Sequence, residues 1–300
     1  MDKTKVILIT IDGVRWMDLL HKIKVNGTIK KVFEKITNLG LFLTNLKVNN
    51  STKVSYPGYN ELLTGYVDPL IVNNMDINNR NKTLPQKLIE NKILSPSDVL
   101  VSTSWNHFIY IYNSQKSGIK PVGWQLDTMK FSDPSLKSIK IPLKQHIYKP
   151  LPKKFKKKTI HDLTAYKIFK KNIQKNHHYR FMHLGFGHTD TYAHYNNYTQ
   201  YMNHLLLAEE CILDLIQTTK TIDFYSQNTY FIITTDHGRG CNEVWTEHKH
   251  KIEGSERAWA IIIGPHIKQG VSCDEEFPLI TINNLMDRLL VNPKSLVNSI

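Results

Sequence analysis

Five short stretches of this 300-residue chain carry side chains able to bind metal ions or to attack an electrophile. Asp12 follows the apolar run KVILITI and precedes Gly13. Ser55 heads the stretch SYPGYNELLTG. Asp190 and His194 lie four apart in HTDTYAH, a spacing that puts both on one face of a helix. Asp236-His237 follows the apolar run TYFIITT, and Gly238 and Gly240 let the backbone come close to a ligand. His248 lies in the loop beyond, in WTEHKH. A carboxylate at a buried strand end is costly unless a cation pairs with it, so aspartates converging on strand ends argue for metal ions. Mixed oxygen and nitrogen donors suit Zn²⁺, and also Mn²⁺, but not a cysteine-based structural zinc site. Taken singly, each stretch has a plainer reading. Asp12-Gly13 and Asp236-His237-Gly238 are turn signals, Asp190 and His194 are a surface helix pair, and Ser-Tyr-Pro is structural. It is their joint order at successive strand ends that points to one site, because open α/β sheets bind ligands beyond the carboxyl ends of their strands.

Periodicity supplies the elements that must position these residues. Continuous or alternating apolar runs predict strands over 5–11, 41–48, 98–101, 179–186, 229–235 and 258–264. Helices are expected over 28–39 with Gly40 as the stop, over 55–63 with Pro57 in the first turn, and over 84–91, 191–218 and 278–291. Strands alternating with helices predict an α/β fold, with a mostly parallel central sheet flanked by helices on both faces. No repeat or linker divides the chain, so a single domain over 1–300 is expected. Within it, 114–158 is broken by Pro121, Pro134, Pro142, Pro150 and Pro152 and reads as a lid-like insertion.

Composition narrows the class. A hydrophobic content of 41% supports a substantial core and excludes disorder and low-complexity classes. No apolar run approaches the ~18 residues of a membrane helix, and the N-terminus lacks the pattern of a secretion signal. Cys211, Cys241 and Cys273 form no CxxC pair and no even set, which fits a reducing, cytoplasmic setting. In that setting the sequon Asn81-Lys82-Thr83 carries no weight. The net charge of +13 admits nucleic acid, anionic lipid or a phosphorylated small molecule as partner. Lys153, Lys154, Lys156, Lys157 and Lys158 read either as a solvated loop or as a basic rim that attracts a phosphate-bearing substrate. Sparse aromatics there argue against a nucleic-acid stacking platform.

The stretches ILITIDGVR, VSYPGYNELLTG, HTDTYAH, TTDHGRG and WTEHKHKIEGSE, in that order between residues 6 and 264, resemble the alkaline phosphatase superfamily. Within it the chain looks nearest to the nucleotide pyrophosphatase/phosphodiesterase branch and its small bacterial phosphodiesterase-like members. The resemblance implies an alkaline-phosphatase-like fold, two divalent metal ions (zinc, or manganese) and a serine nucleophile. By that analogy Asp12, Ser55, Asp236 and His237 surround one ion, and Asp190, His194 and His248 hold the other. His250 rivals His248. The distance from His248 to Gly254-Ser255-Glu256 matches the family pattern, although Lys249 stands where a glycine is common. Asn74 resembles the asparagine that helps hold the phosphoryl oxygens, with a slightly different spacing from Ser55. The implied activity is phosphodiester or nucleotide pyrophosphate cleavage through a phosphoserine, on a phosphorylated small molecule or nucleotide. Sulfatases resemble Cys or Ser followed by x-Pro-x-Arg, and Ser55-Tyr56-Pro57-Gly58-Tyr59 has no arginine. Phosphoglycerate mutases carry a large inserted domain for which this chain has little room. A phosphomonoesterase of the same fold stays open, because Arg15 and Arg239 adjoin the ligand candidates. From another class, a non-catalytic basic protein that binds phosphate or nucleic acid also stays open.

Overall fold

The computed structural model describes residues 3–25, 28–122 and 161–292. Its strands in chain order are Lys5–Ile11 (β1), Lys22–Val25 (β2), Thr28–Lys31 (β3), Leu41–Lys47 (β4), Val99–Thr103 (β5), Phe181–Phe186 (β6), Thr229–Thr234 (β7), Arg257–Ile263 (β8), Val271–Cys273 (β9) and Phe277–Pro278 (β10). The main helices are Ser55–Thr64 (α1), Leu84–Glu90 (α2), Asp162–Lys175 (α3), His188–His194 (α4), Tyr198–Lys220 (α5) and Ile280–Val291 (α6).

β1 is buried at every position, as its unbroken apolar run requires. It pairs in parallel with β6 on one side and β7 on the other. The large sheet runs β10-β4-β8-β7-β1-β6-β5, with β9 added beside β4. β5, β6, β1 and β7 are parallel, and β8 alone runs against its neighbours β7 and β4. Alternate residues of β1 divide the core. Ile7, Ile9 and Ile11 face α3 and α5 through Tyr166, Phe169, Tyr201 and Leu205. Val6 and Leu8 belong to the opposite layer with Tyr59 and Leu62 of α1, Leu88 of α2 and Met286 of α6. Helices thus cover both faces of a mostly parallel sheet, which is the expected α/β class.

Three expected elements differ. The helix over 28–39 is instead strand β3, paired antiparallel with β2, followed by one helical turn at Glu34–Thr37. Alternation in Lys-Ile-Lys-Val and Thr-Ile-Lys-Lys suits a strand pair, and Phe33 at φ 61° breaks the chain before the turn. Gly40 ends that turn because of crowding: a Cβ there would lie 2.1 Å from the Ile262 carbonyl oxygen. The long helix over 191–218 is two helices. Asn196 takes φ 52°, and the Asn197 side chain accepts the Gln200 N–H to start α5. At the C-terminus, Phe277–Pro278 joins the sheet and α6 starts at Ile280. Of the 114–158 segment, a helical turn at Ser114–Ser117 and a bridge from Val122 to Ser102 are described. The remainder of that segment, with Lys153, Lys154, Lys156, Lys157 and Lys158, lies outside the described residues.

Candidate active site

The carboxyl ends of β1, β6 and β7 meet the start of α1. Asp12 follows β1 directly, and its N–H donates to Phe186 O at 2.9 Å, tying it to the end of β6. Gly13 then turns at φ 61° and donates its N–H to Asp236 Oδ1 at 3.1 Å. A side chain at Gly13 would crowd Asp190, Arg239 and His237, so the turn and the close approach both require glycine. Ser55 is the first residue of α1. The loop before it is held by Glu61, whose carboxylate accepts the N–H groups of Asn49 and Asn50 at 2.9–3.0 Å. Gly58 lets α1 press on the end of β7, since a Cβ there would lie 2.4 Å from Asp236 O.

Around Ser55 the donor atoms converge. Ser55 Oγ lies 3.4 Å from Asp12 Oδ1 and 3.3 Å from His237 Nε2. His237 Nε2 is also 3.5 Å from Asp12 Oδ1 and 3.4 Å from Asp236 Oδ2. His237 Nδ1 is 2.8 Å from Gly238 O, a partner that can only accept, so Nδ1 carries the proton and Nε2 offers a lone pair. The same reasoning applies to His248, whose Nδ1 is 2.7 Å from Lys53 O. Its ring stacks on His237 with centroids 3.9 Å apart. His248 Nε2 lies 3.0 Å from His194 Nε2 and 3.6 Å from Asp190 Oδ1. Asp190 Oδ1 is 3.4 Å from His194 Nε2. His250 is exposed and uses its backbone N–H on Thr52 O.

Two donor groups therefore adjoin. Asp12, Asp236 and His237 can place one ligand atom each within 4.8 Å of one another, and so can Asp190, His237 and His248. The resemblance assigns His194 to the second group, whereas the geometric group holds His237 in its place, with His194 Nε2 3.0 Å from His248 Nε2. Asn74 sits one residue from the nucleophile candidate, its Oδ1 accepting the Tyr56 N–H at 2.8 Å. Arg15 is spent on Asp18, at 2.7 and 2.9 Å. Arg239 is fully buried, donates to Asp190 Oδ1, and also donates to Thr246 O at 2.6 Å.

The electrostatics suit cations. Burial, with the Asp236 and Asp190 charges, holds the Asp12 carboxyl well above the usual range. Burial pushes Asp236 up to about 8, and its Oδ2 has no hydrogen-bond partner. Burial raises Asp190 too, but Arg239 and the facing histidines outweigh it and hold this carboxyl below the usual range. Burial lowers His237 to about 4 and His248 to about 2, so both imidazoles are neutral at pH 7. Crowded carboxylates, an orphaned buried oxygen and two lone pairs facing inward are what a divalent cation would satisfy, so the residues fit the metal ions.

Two supporting residues were not singled out from sequence. Tyr59 donates its OH to Asp12 Oδ2 at 3.3 Å. It is four residues after Ser55 on α1, so helical spacing could have found it. Thr189 donates to Asp12 O at 2.6 Å, and no sequence signal marks it.

Comparison with known proteins bears on this arrangement. The sequence profile described as the Metalloenzyme superfamily matches residues 144–276. No curated protein matches the chain. Among solved structures, a protein in the alkaline phosphatase superfamily from Vibrio parahaemolyticus is similar over 97% of this chain and 67% of its own, at 11% identity and TM-score 0.61. The fold is that of the alkaline phosphatase superfamily. Within this superfamily fold, the phosphonate monoester hydrolase of Agrobacterium radiobacter is similar over 96% of this chain and 74% of its own, at 12% identity and TM-score 0.59. BT1596, a 2-O GAG sulfatase, is similar over 96% and 70%, at 12% identity and TM-score 0.58. Among the described residues, no helix is long and apolar enough to cross a membrane.

Proposed function

We propose that this chain is a metal-dependent phosphoester hydrolase that uses Ser55 as nucleophile, with phosphodiesters or nucleotide pyrophosphates as substrates. The carrying observation is Ser55 Oγ, placed at the start of a ten-residue helix within 3.5 Å of both Asp12 Oδ1 and His237 Nε2. Asp12, Asp236 and His237 would hold one divalent ion, and Asp190, His194 and His248 the other, with zinc or manganese matching the donors. The bound ions supply positive charge that favours a serine alkoxide and a departing oxygen.

This chain's own residues do the rest. Asp12 and His237 orient Ser55 Oγ and stand within reach of its proton. Oγ attacks phosphorus, the Oγ–P bond forms, and the bond from phosphorus to the leaving oxygen breaks. The leaving group departs as an alcohol or a phosphate, taking up a proton. Water then cleaves the Oγ–P bond, releasing the phosphoryl product and returning a proton to Ser55. The Asn74 side-chain NH₂, oriented by the Tyr56 N–H on its Oδ1, supplies a donor for the non-bridging oxygens. Tyr59 fixes Asp12 from the far side.

The pairing of Arg15 with Asp18 and of Arg239 with Asp190 favours diesters. A monoester's extra negative charge calls for a guanidinium or further cation at the substrate, and these guanidiniums are already paired with aspartates. The test is a panel of p-nitrophenyl phosphate, bis-p-nitrophenyl phosphate and p-nitrophenyl sulfate, run before and after chelation. Diester cleavage should dominate, vanish on chelation and return with Zn²⁺ or Mn²⁺. Faster monoester or sulfate cleavage would overturn the substrate reading, and full activity in metal-stripped protein would overturn the mechanism.

A further inference from the structure

A second group of donors gathers where three helices start or pass. Asp162 opens α3, His188 opens α4 two residues before Asp190, and His204 lies on α5. All three are buried, each about 1% exposed. Asp162 Oδ1 lies 2.6 Å from His188 Nδ1, and Asp162 Oδ2 lies 3.2 Å from His204 Nδ1. One ligand atom from each of the three lies within 4.8 Å of the others. The His188 and His204 rings stack at 5.0 Å, and the His161 ring lies 5.1 and 5.4 Å from them. The reaction at Ser55 uses none of these four residues.

Hydrogen bonding alone leaves His188 unsatisfied. Its Nδ1 faces a carboxylate oxygen, which calls for a proton there, and also the Asp162 N–H at 3.3 Å, which calls for a lone pair. Its Nε2 is buried with no partner. A proton on Nδ1 leaves a bare lone pair at Nε2. A proton on Nε2 leaves a bare donor there and sets the Nδ1 lone pair against the carboxylate. An unsatisfied buried polar atom is destabilising. A cation removes the clash at Nδ1, because a carboxylate oxygen and a neutral imidazole nitrogen are co-ligands there rather than competing hydrogen-bond partners. One oxygen and two nitrogens make a three-donor set of the kind zinc and its neighbours take, with a further position for water.

We propose that Asp162, His188 and His204 hold a further divalent transition-metal ion, separate from the pair at Ser55. It ties the start of α3 to α4 and α5. Asp162 also accepts the N–H groups of Gly187 and His188. The ion thereby anchors the helix that presents Asp190 and His194.

The test is metal counting on the full chain, stripped and then titrated with Zn²⁺ or Co²⁺ and checked by elemental analysis. The Asp190→Ala/His237→Ala variant, which breaks both donor groups at Ser55, should keep one tight equivalent. Keeping none overturns the proposal. In the otherwise intact chain, His204→Gln should lose one equivalent, and an unchanged count overturns the proposal. If His204→Gln does not fold, His188→Gln replaces it. That variant should weaken one equivalent at least tenfold while sparing the others, and equal affinities overturn the proposal. A retained equivalent in the double variant supports the site even if no phosphoester is ever cleaved, so its fate is distinguishable from that of the hydrolase reading.

Discussion

Ser55 is where chemistry and scaffold separate most cleanly. Its hydroxyl is one donor among several, while its backbone starts α1 whatever the side chain. Ser55→Ala should therefore lower turnover by on the order of 10³-fold or more, as removal of a nucleophile does. Metal uptake should stay near wild type and the melting temperature within a few degrees. Parallel kinetics, elemental analysis and thermal melts check this, and a loss of stability without a selective loss of turnover would make Ser55 structural. Residue type and order singled out Asp12, Ser55, Asp190, Asp236 and His237, because each follows or opens an element that periodicity already marks, and His248 in the loop beyond them. What the order could not show is sharing. His237 faces Asp12 on one side and Asp190 with His248 on the other, and that depends on a ring stack formed by residues eleven apart. Thr189 stayed hidden for the same reason, since its partner is a backbone oxygen 177 residues away.

Elements placed the site with two demands that single residues meet. α1 packs on the end of β7 only because Gly58 has no side chain. Gly58→Ala should push α1 off Asp236 O, costing about 1–3 kcal/mol as overpacking does, and should lower kcat as Ser55 moves away from Asp12. Unchanged kcat with normal stability would show that this contact has slack. The second demand lies in β6. His183 is fully buried, with Thr10 Oγ1 and Tyr112 OH each 2.9 Å from its ring nitrogens. Burial lowers it from the usual 6.5 to about 3. An unfolded chain takes up a proton below pH 6.5 that the folded chain refuses, so stability falls as pH drops from 6.5 toward 3. The slope is about 1.4 kcal/mol per pH unit for this one group. Other buried histidines act in the same direction, so the comparison isolates His183: melts of His183→Gln between pH 6.5 and 4 should be less acid-sensitive than wild type. Equal slopes would place its proton elsewhere. Helices α1, α2 and α6 were legible, as were all strands buried on both faces, whereas α3 over Asp162–Lys175 was not expected. The strand pair β2–β3 was not legible, because lysines alternating with β-branched residues fit a strand as well as a helix edge. The break between α4 and α5 was missed because apolar spacing continues through Asn196 and Asn197 while the backbone does not.

At the scale of the whole molecule, order along the chain becomes position in space. The parallel sheet brings the ends of β1, β6 and β7 together, and so gathers residues from 12 to 248 into one pocket edge. The charge follows a different logic. The chain carries an excess of 13 positive charges and its proposed substrate is anionic, and five lysines fall between Lys153 and Lys158. Charges that do not touch the reacting atoms act by attracting the substrate before it binds, which alters encounter rate and not the chemical step. Salt screens that attraction over about 8 Å at physiological ionic strength. Replacing Lys153, Lys154, Lys156, Lys157 and Lys158 by glutamine should therefore lower kcat/KM for an anionic diester at low salt. It should leave kcat unchanged, and the gap between variant and wild type should close as salt rises. Steady-state kinetics from about 10 to 500 mM salt separate the cases, since the Debye length falls from about 30 Å to a few ångströms over that range. A variant equal to wild type at every salt concentration would make this stretch a solvated segment with no part in capture. A fall in kcat instead would put at least one of these lysines in contact with the phosphoryl group.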